Sequence, residues 1–188
     1  MTIKINYLKK AASKLSANLV FFTNDKFSIN HLKKHISNNE FNYINDLLKS
    51  SDLKKNIFVY ELNSKKKIVL ISAKSNLKTS DIENLGAEFY GRINYGKNSE
   101  YFINSDTVEN KYKNFLGHFL HGLKLKSYEF KKYKSKKANR LLSINIFGNK
   151  NKPSAQTQLK FRALEEGTFF ARDLVSEPGN ILHPDEYA

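Results

Sequence analysis

The chain has 188 residues, 40% of them apolar, including 14 Phe and 10 Tyr. That is enough for one domain with a real core and excludes a disordered tail. Cysteine is absent, which excludes disulfides, thiolate metal sites and cysteine nucleophiles, and the formal charge is +14. No apolar run approaches the roughly 18 residues of a membrane span. The amino terminus, Met1-Thr2-Ile3-Lys4-Ile5, has no secretory apolar region, so the expected setting is cytoplasmic, with no membrane partner.

Alternating Ile3, Ile5 and Tyr7 predict a partly exposed strand, and the continuous apolar run at 18–23 predicts one buried on both faces. Phe41, Ile44, Leu47 and Leu48 have helical spacing within 39–50. A hairpin is expected next, with strands at 57–62 and 67–72 about a turn at Asn63-Ser64. Thr79-Ser80-Asp81 offers a helix start, Ile82, Leu85, Phe89 and Ile93 continue one face, and Gly96 is the expected stop. A short strand at 101–103 precedes a longer helix, expected from about Val108 to Lys126 on a stripe of Tyr112, Phe115, Phe119 and Leu123. Residues 141–148 read as another strand. A last helix follows Pro153-Ser154 and carries Leu159, Ala163, Phe170 and Leu174 on one face.

Strands early, then helices alternating with strands, predict an α/β domain: a mixed β-sheet with helices on both faces, followed by a connector helix. Residues 1–150 hold 28 Lys/Arg against 12 Asp/Glu, whereas 151–188 hold 4 against 6. The change falls at Asn149-Lys150-Asn151-Lys152-Pro153 and marks a boundary. The expected division is therefore a domain at 1–150, a connector helix at 151–177, and the start of a further domain at 178–188.

Two stretches resemble one known family. Ala171-Arg172-Asp173-Leu174, then Pro178, Asn180 and Pro184, are similar to the segment joining the two domains of cytosolic two-metal leucine aminopeptidases. Ser176 and Gly179 depart from that pattern, which usually has Asn and a small Ala or Ser there. Gly122, Leu125, Tyr128, Phe130, Tyr133 and Lys134 match a second pattern of the same family, at the end of its long helix. The resemblance covers residues 115–188 best. It implies a non-catalytic, macro-domain-like amino-terminal domain, with Arg172, Asp173, Pro178, Asn180 and Pro184 as the interdomain connector, and 178–188 as the truncated start of the catalytic domain. The full-length enzyme would hydrolyse amino-terminal residues with two divalent metals, Zn or Mn, and form a homo-hexamer. The family's ligand segments, Asp-Thr-Gly-Gly and Asn-Thr-Asp-Ala-Glu-Gly-Arg, do not occur here. This chain alone is thus expected to be monomeric and inactive, with no catalytic or metal-binding residue and no cofactor of its own.

His31/His35 and His118/His121 have helical spacing, but neither pair has the intervening Glu of a zinc helix or a completing ligand. Gly86 and Gly91, like Gly117 and Gly122, fall in expected helices, where small residues permit close packing, and no glycine-rich phosphate loop follows a strand. Arg172 and Asp173 also read as a solvated helix end, with Arg complementing the dipole. The alternative function is a nucleic-acid-binding module. Lys131, Lys132, Lys134, Lys136 and Lys137 are interleaved with aromatics and are its contact candidates. Against it, Lys outnumbers Arg by 28 to 4, in a chain rich in residues with A/T-rich codons. Arg is the better reader of bases, so weak, non-specific DNA binding is the expectation.

Overall fold

The structure, a computed structural model, describes residues 2–9, 17–74, 76–93, 99–108, 113–134 and 141–179. Its strands are β1 (Thr2–Tyr7), β2 (Asn18–Thr23), β3 (Ile57–Asn63), β4 (Lys66–Ser72), β5 (Ser99–Asn104) and β6 (Leu141–Phe147). Its helices are α1 (Asn38–Lys49), α2 (Thr79–Ile93), α3 (Phe115–Lys126) and α4 (Ala155–Ser176), with 3-10 turns at Asn30–Lys34 and Ser105–Thr107. The strands form one sheet in the order β1-β6-β5-β2-β4-β3, parallel throughout except for the β3–β4 hairpin.

A parallel sheet needs cover on both sides, because its crossover connections place helices there. One face carries Val20, Phe22, Val69, Ile71, Ile103, Leu142 and Ile144 against α2 and α3. The opposite face carries Phe21, Ile68, Leu70 and Phe102 against α1 and the first 3-10 turn. The mixed sheet with helices on both faces is therefore as expected, and the apolar run at 18–23 is the central strand β2. On the β1 side the second face turns polar. Asn6 donates to Asn145 (2.8 Å), which donates to Glu100 (2.6 Å), linking β1, β6 and β5.

α1 begins with a reciprocal cap, Ser37 accepting from the Glu40 amide (3.3 Å) and Glu40 from the Ser37 amide (2.9 Å). Glu40 also accepts from Lys66 of β4 at 2.6 Å, tying the helix to the hairpin. The sequence reading placed the start of α3 too early. Val108 closes the preceding 3-10 turn and Asn114, just before the helix, has φ +59°, a left-handed setting through which no α-helix continues. Of the expected landmarks, Tyr112 and Gly96 lie outside the described residues.

α2 and α3 touch backbone to backbone. A Cβ on Gly86 would stand 1.9 Å from the Phe119 carbonyl oxygen, and one on Gly122 1.9 Å from that of Glu83. Gly91, in the same helix as Gly86, has nothing within 4 Å. Gly86→Ala and Gly122→Ala should each lower stability by about 1–3 kcal/mol, since rigid backbone must move apart. Gly91→Ala should instead be neutral or stabilising by up to about 1 kcal/mol, through helix propensity. Urea unfolding of the three variants reads both signs.

Candidate functional site

α4 starts at Ser154, whose hydroxyl accepts from the Thr157 amide at 3.2 Å. About two turns on, Phe161 enters a slot on α3 between the rings of His118 (centroids 4.9 Å apart) and His121 (5.1 Å). Gly117 makes the slot: a Cβ there would lie 2.5 Å from the Phe161 ring. His118 faces Glu83 of α2 at 3.0 Å, and His121 faces Glu165 of α4 at 3.4 Å, both members of the second pair being largely buried. Burial, and then the Glu165 charge, push the Tyr7 phenol up to about 12. The two histidines thus brace an aromatic side chain against carboxylates on separate helices. They do not converge on a metal position, and among the described residues no group of three His, Cys, Asp or Glu side chains could hold one.

The carboxyl end of α4 is clasped as well. Arg172 donates to the Leu125 carbonyl at 2.7 Å, serving one of the carbonyls left unpaired at the end of α3, and its guanidinium lies 5.5 Å from the Tyr128 ring centroid. The Tyr128 hydroxyl donates to Asp173 at 2.7 Å, while its ring meets Phe169 at 5.4 Å. Lys132 pairs with Glu177 at 2.6 Å, and the Tyr133 hydroxyl donates to the other Glu177 oxygen. Lys132 first, then Tyr133, hold the Glu177 carboxyl below its ordinary value. The two family-like patterns therefore meet in space, and Arg172 and Asp173 turn back onto residues 125–128.

Of the other connector candidates, Pro178 is exposed just past the helix, and Asn180 and Pro184 lie outside the described residues. Among the candidate nucleic-acid contacts, Lys131 pairs with Glu129 at 2.5 Å and Lys132 with Glu177. Lys134 is exposed, and Lys136 and Lys137 lie outside the described residues. Two of the three described lysines are thus already matched by carboxylates. Phe161, Glu83 and Glu165 escaped the sequence reading, because each acts on a partner 35 or more positions away and sits in no local motif.

Most of the face of α4 expected to be apolar looks away from the domain, with Leu174 half-buried. Leu159 and Phe170 are each 66% exposed and Ala163 is exposed between them, with Leu164 and Val175 exposed alongside. The docked face is the one bearing Phe161, Glu165 and Phe169. α4 thus carries two apolar stripes, one used and one open.

A two-sided α/β layer with a clasped terminal helix is the fold of leucine aminopeptidase amino-terminal domains. A mutant of tomato leucine aminopeptidase superposes with a TM-score of 0.71 at 17% identity, over 100% of this chain and 41% of that one. In sequence, a probable cytosol aminopeptidase of Methylorubrum extorquens is 37% identical over 75 residues, covering 37% of this chain and 15% of the relative. One from Clostridium perfringens is 34% identical over 99 residues, covering 49% of this chain and 20% of the relative. No family model matches the chain. The resemblance read from the motifs is borne out: the chain is related to the amino-terminal part of the cytosol aminopeptidases, and its matches span a fifth of those relatives or less.

Truncating Phe161→Ala should empty the Gly117 slot and release α4. Hydrogen exchange should then show α4 amides losing about 3 kcal/mol of protection while β2 and β4 keep theirs. Acid should loosen the end of the same helix. The Glu177 carboxyl is lowered in the folded chain, so its contribution is present above the ordinary value of 4.5 and is lost as pH falls through the lower folded value. Exchange in the last turn of α4 should accelerate below about pH 4.5 relative to its first turns, and Glu177→Gln should abolish that difference.

Proposed function

We propose that this chain is the accessory, non-catalytic domain and connector of a cytoplasmic metal-dependent leucyl aminopeptidase. In this reading residues 1–150 form the accessory domain, 151–177 the connector, and 178–188 the start of the catalytic domain. The observation that carries it is the double face of α4. One stripe is locked into the Gly117 slot, and the other leaves Leu159 and Phe170 in solvent, at a cost that a domain seated on it would remove. Arg172 and Asp173 act in the connector by fixing the angle at which α4 leaves α3. Pro178 then prevents the helix from continuing, and Asn180 and Pro184 are assigned to the connector with it.

The family's two divalent metals, Zn or Mn, do not fit this chain, whose described residues offer no ligand group for them. They belong with the catalytic part of the whole enzyme, which would remove amino-terminal residues from peptides and assemble as a homo-hexamer. The 188-residue chain should be monomeric and should release no product from leucine p-nitroanilide with added zinc or manganese. Chelator-sensitive hydrolysis by the pure chain would refute the assignment. The positive charge should also give weak attraction to DNA. Two unrelated duplexes should bind equally, at about 10⁻⁴–10⁻⁶ M in physiological salt, and release steeply as salt rises. A strong preference for one duplex, lost when Lys131, Lys132, Lys134, Lys136 and Lys137 become Gln, would make DNA recognition the primary role.

A further inference from the structure

A crevice of about 540 Å³ lies at the carboxyl ends of β2 and β5. These strands are adjacent and parallel, but the chain leaves them in opposite directions. From β2 it goes on through α1 to β3 on one side, and from β5 through α3 to β6 on the other. In open α/β sheets such a switch point splays the connecting loops apart and creates a ligand crevice. The volume falls in the range of small-molecule sites, about 300–1,000 Å³.

Backbone bonds fix the orientation of the polar groups lining it. Asn24 uses its side-chain oxygen on the amides of Ser28 (2.9 Å) and Lys26 (3.2 Å), which leaves its NH₂ group to donate. Asn104 likewise accepts from the Asp106 amide at 3.0 Å, so its NH₂ is the group that meets His35 Nε2 at 3.0 Å. An NH₂ can only donate, so Nε2 is the acceptor and His35 is the neutral tautomer with its hydrogen on Nδ1. Burial lowers the His35 pKa in agreement, with Asp106 opposing and Lys34 reinforcing that shift.

Asp106 is held in the same way. One of its oxygens accepts from the Asn149 and Lys150 amides (2.7 and 2.6 Å). The β6 loop reaches it through Gly148 at φ +120°, where a Cβ would stand 2.4 Å from Ser105 Oγ. The other Asp106 oxygen remains an acceptor. Lys34 supplies an exposed ammonium, and Phe22 and Val108 supply apolar wall.

Among the groups lining the crevice, beside Ser28 and His31, are three donors, Lys34 Nζ, His35 Nδ1–H and the Asn24 amide, together with the Asp106 carboxylate as acceptor. Three donors suit the three terminal oxygens of a phosphate monoester better than the two of a carboxylate, and the acceptor suits a hydroxyl. We propose that the crevice binds a small phosphorylated sugar or polyol, its phosphate held by Lys34, His35 and Asn24 and a hydroxyl by Asp106. Recognition is by side chains, in keeping with the lack of a glycine-rich loop, and the inference stands apart from the kinship with aminopeptidases.

The test is an NMR titration of the 188-residue chain with glucose 6-phosphate, with glucose, gluconate and inorganic phosphate as comparisons. Saturable shifts are expected at the His35 ring, the Asn24 side-chain amide and the amides of residues 105–108. Glucose and gluconate should bind at least tenfold more weakly, and inorganic phosphate should shift the His35 and Asn24 signals without those that report on Asp106. Lys34→Glu should weaken glucose 6-phosphate at least tenfold and Lys34→Gln severalfold, while Lys132→Gln leaves it unchanged. Both Lys34 variants alter an exposed side chain, and spectral dispersion verifies their fold. Shifts scattered over the lysine surface, equal binding of glucose, or indifference to both Lys34 substitutions would each overturn the proposal.

Discussion

Gly86 of α2 rests against the Phe119 carbonyl of α3, and Gly122 of α3 against the Glu83 carbonyl of α2, so the two helices meet without side chains between them. That approach sets the spacing of the whole layer. It seats Phe115 and Phe119 over Phe22 of the central strand, in edge contacts 5.3 Å between ring centroids, with Phe89 tilted against Phe119 at 5.5 Å. Close-packed aromatic geometry of this kind tolerates little displacement. The same contact carries Glu83 to His118 and turns Gly117 outward, toward α4.

From this contact the connector follows. α3 is the shared element: one side lies on α2 and the sheet, the other receives Phe161, and its end is finished by Arg172 from α4. A long helix held at both ends has a fixed direction, unlike a flexible linker. The open stripe of Leu159, Ala163 and Phe170 runs along the outer side of that helix.

Much of this was legible in the sequence because it is local. Period-two and continuous apolar runs marked the strands, 3.6-residue stripes marked α1 and α2, and Pro153-Ser154 marked the start of α4. The Gly and Tyr pattern at 122–134 and the Arg-Asp pair at 172–173 signalled a relationship, though not that the two patterns touch. The rest was hidden for physical reasons. The start of α3 depends on the left-handed Asn114, and Asn is only one of several residues that reach that conformation. On α4, apolar periodicity marked one stripe, Leu159, Ala163, Phe170 and Leu174, while the helix docks through Phe161; Gly117, on another helix, makes that choice. The crevice beside β2 and β5 is built from polar residues in three loops and turns, brought together only by strand order.

α4 is held in one orientation on the domain, with its second stripe free. The native chain has no cysteine, so two spin labels can be placed cleanly, through Tyr43→Cys on α1 and Val175→Cys near the end of α4. Both sites are well exposed, at 50% and 85%. Pulsed dipolar spectroscopy on the 188-residue chain should return a single narrow distance distribution. A broad or multimodal distribution, with the labels themselves shown to be ordered on their helices, would mean that α4 swings free of the domain and would contradict the account.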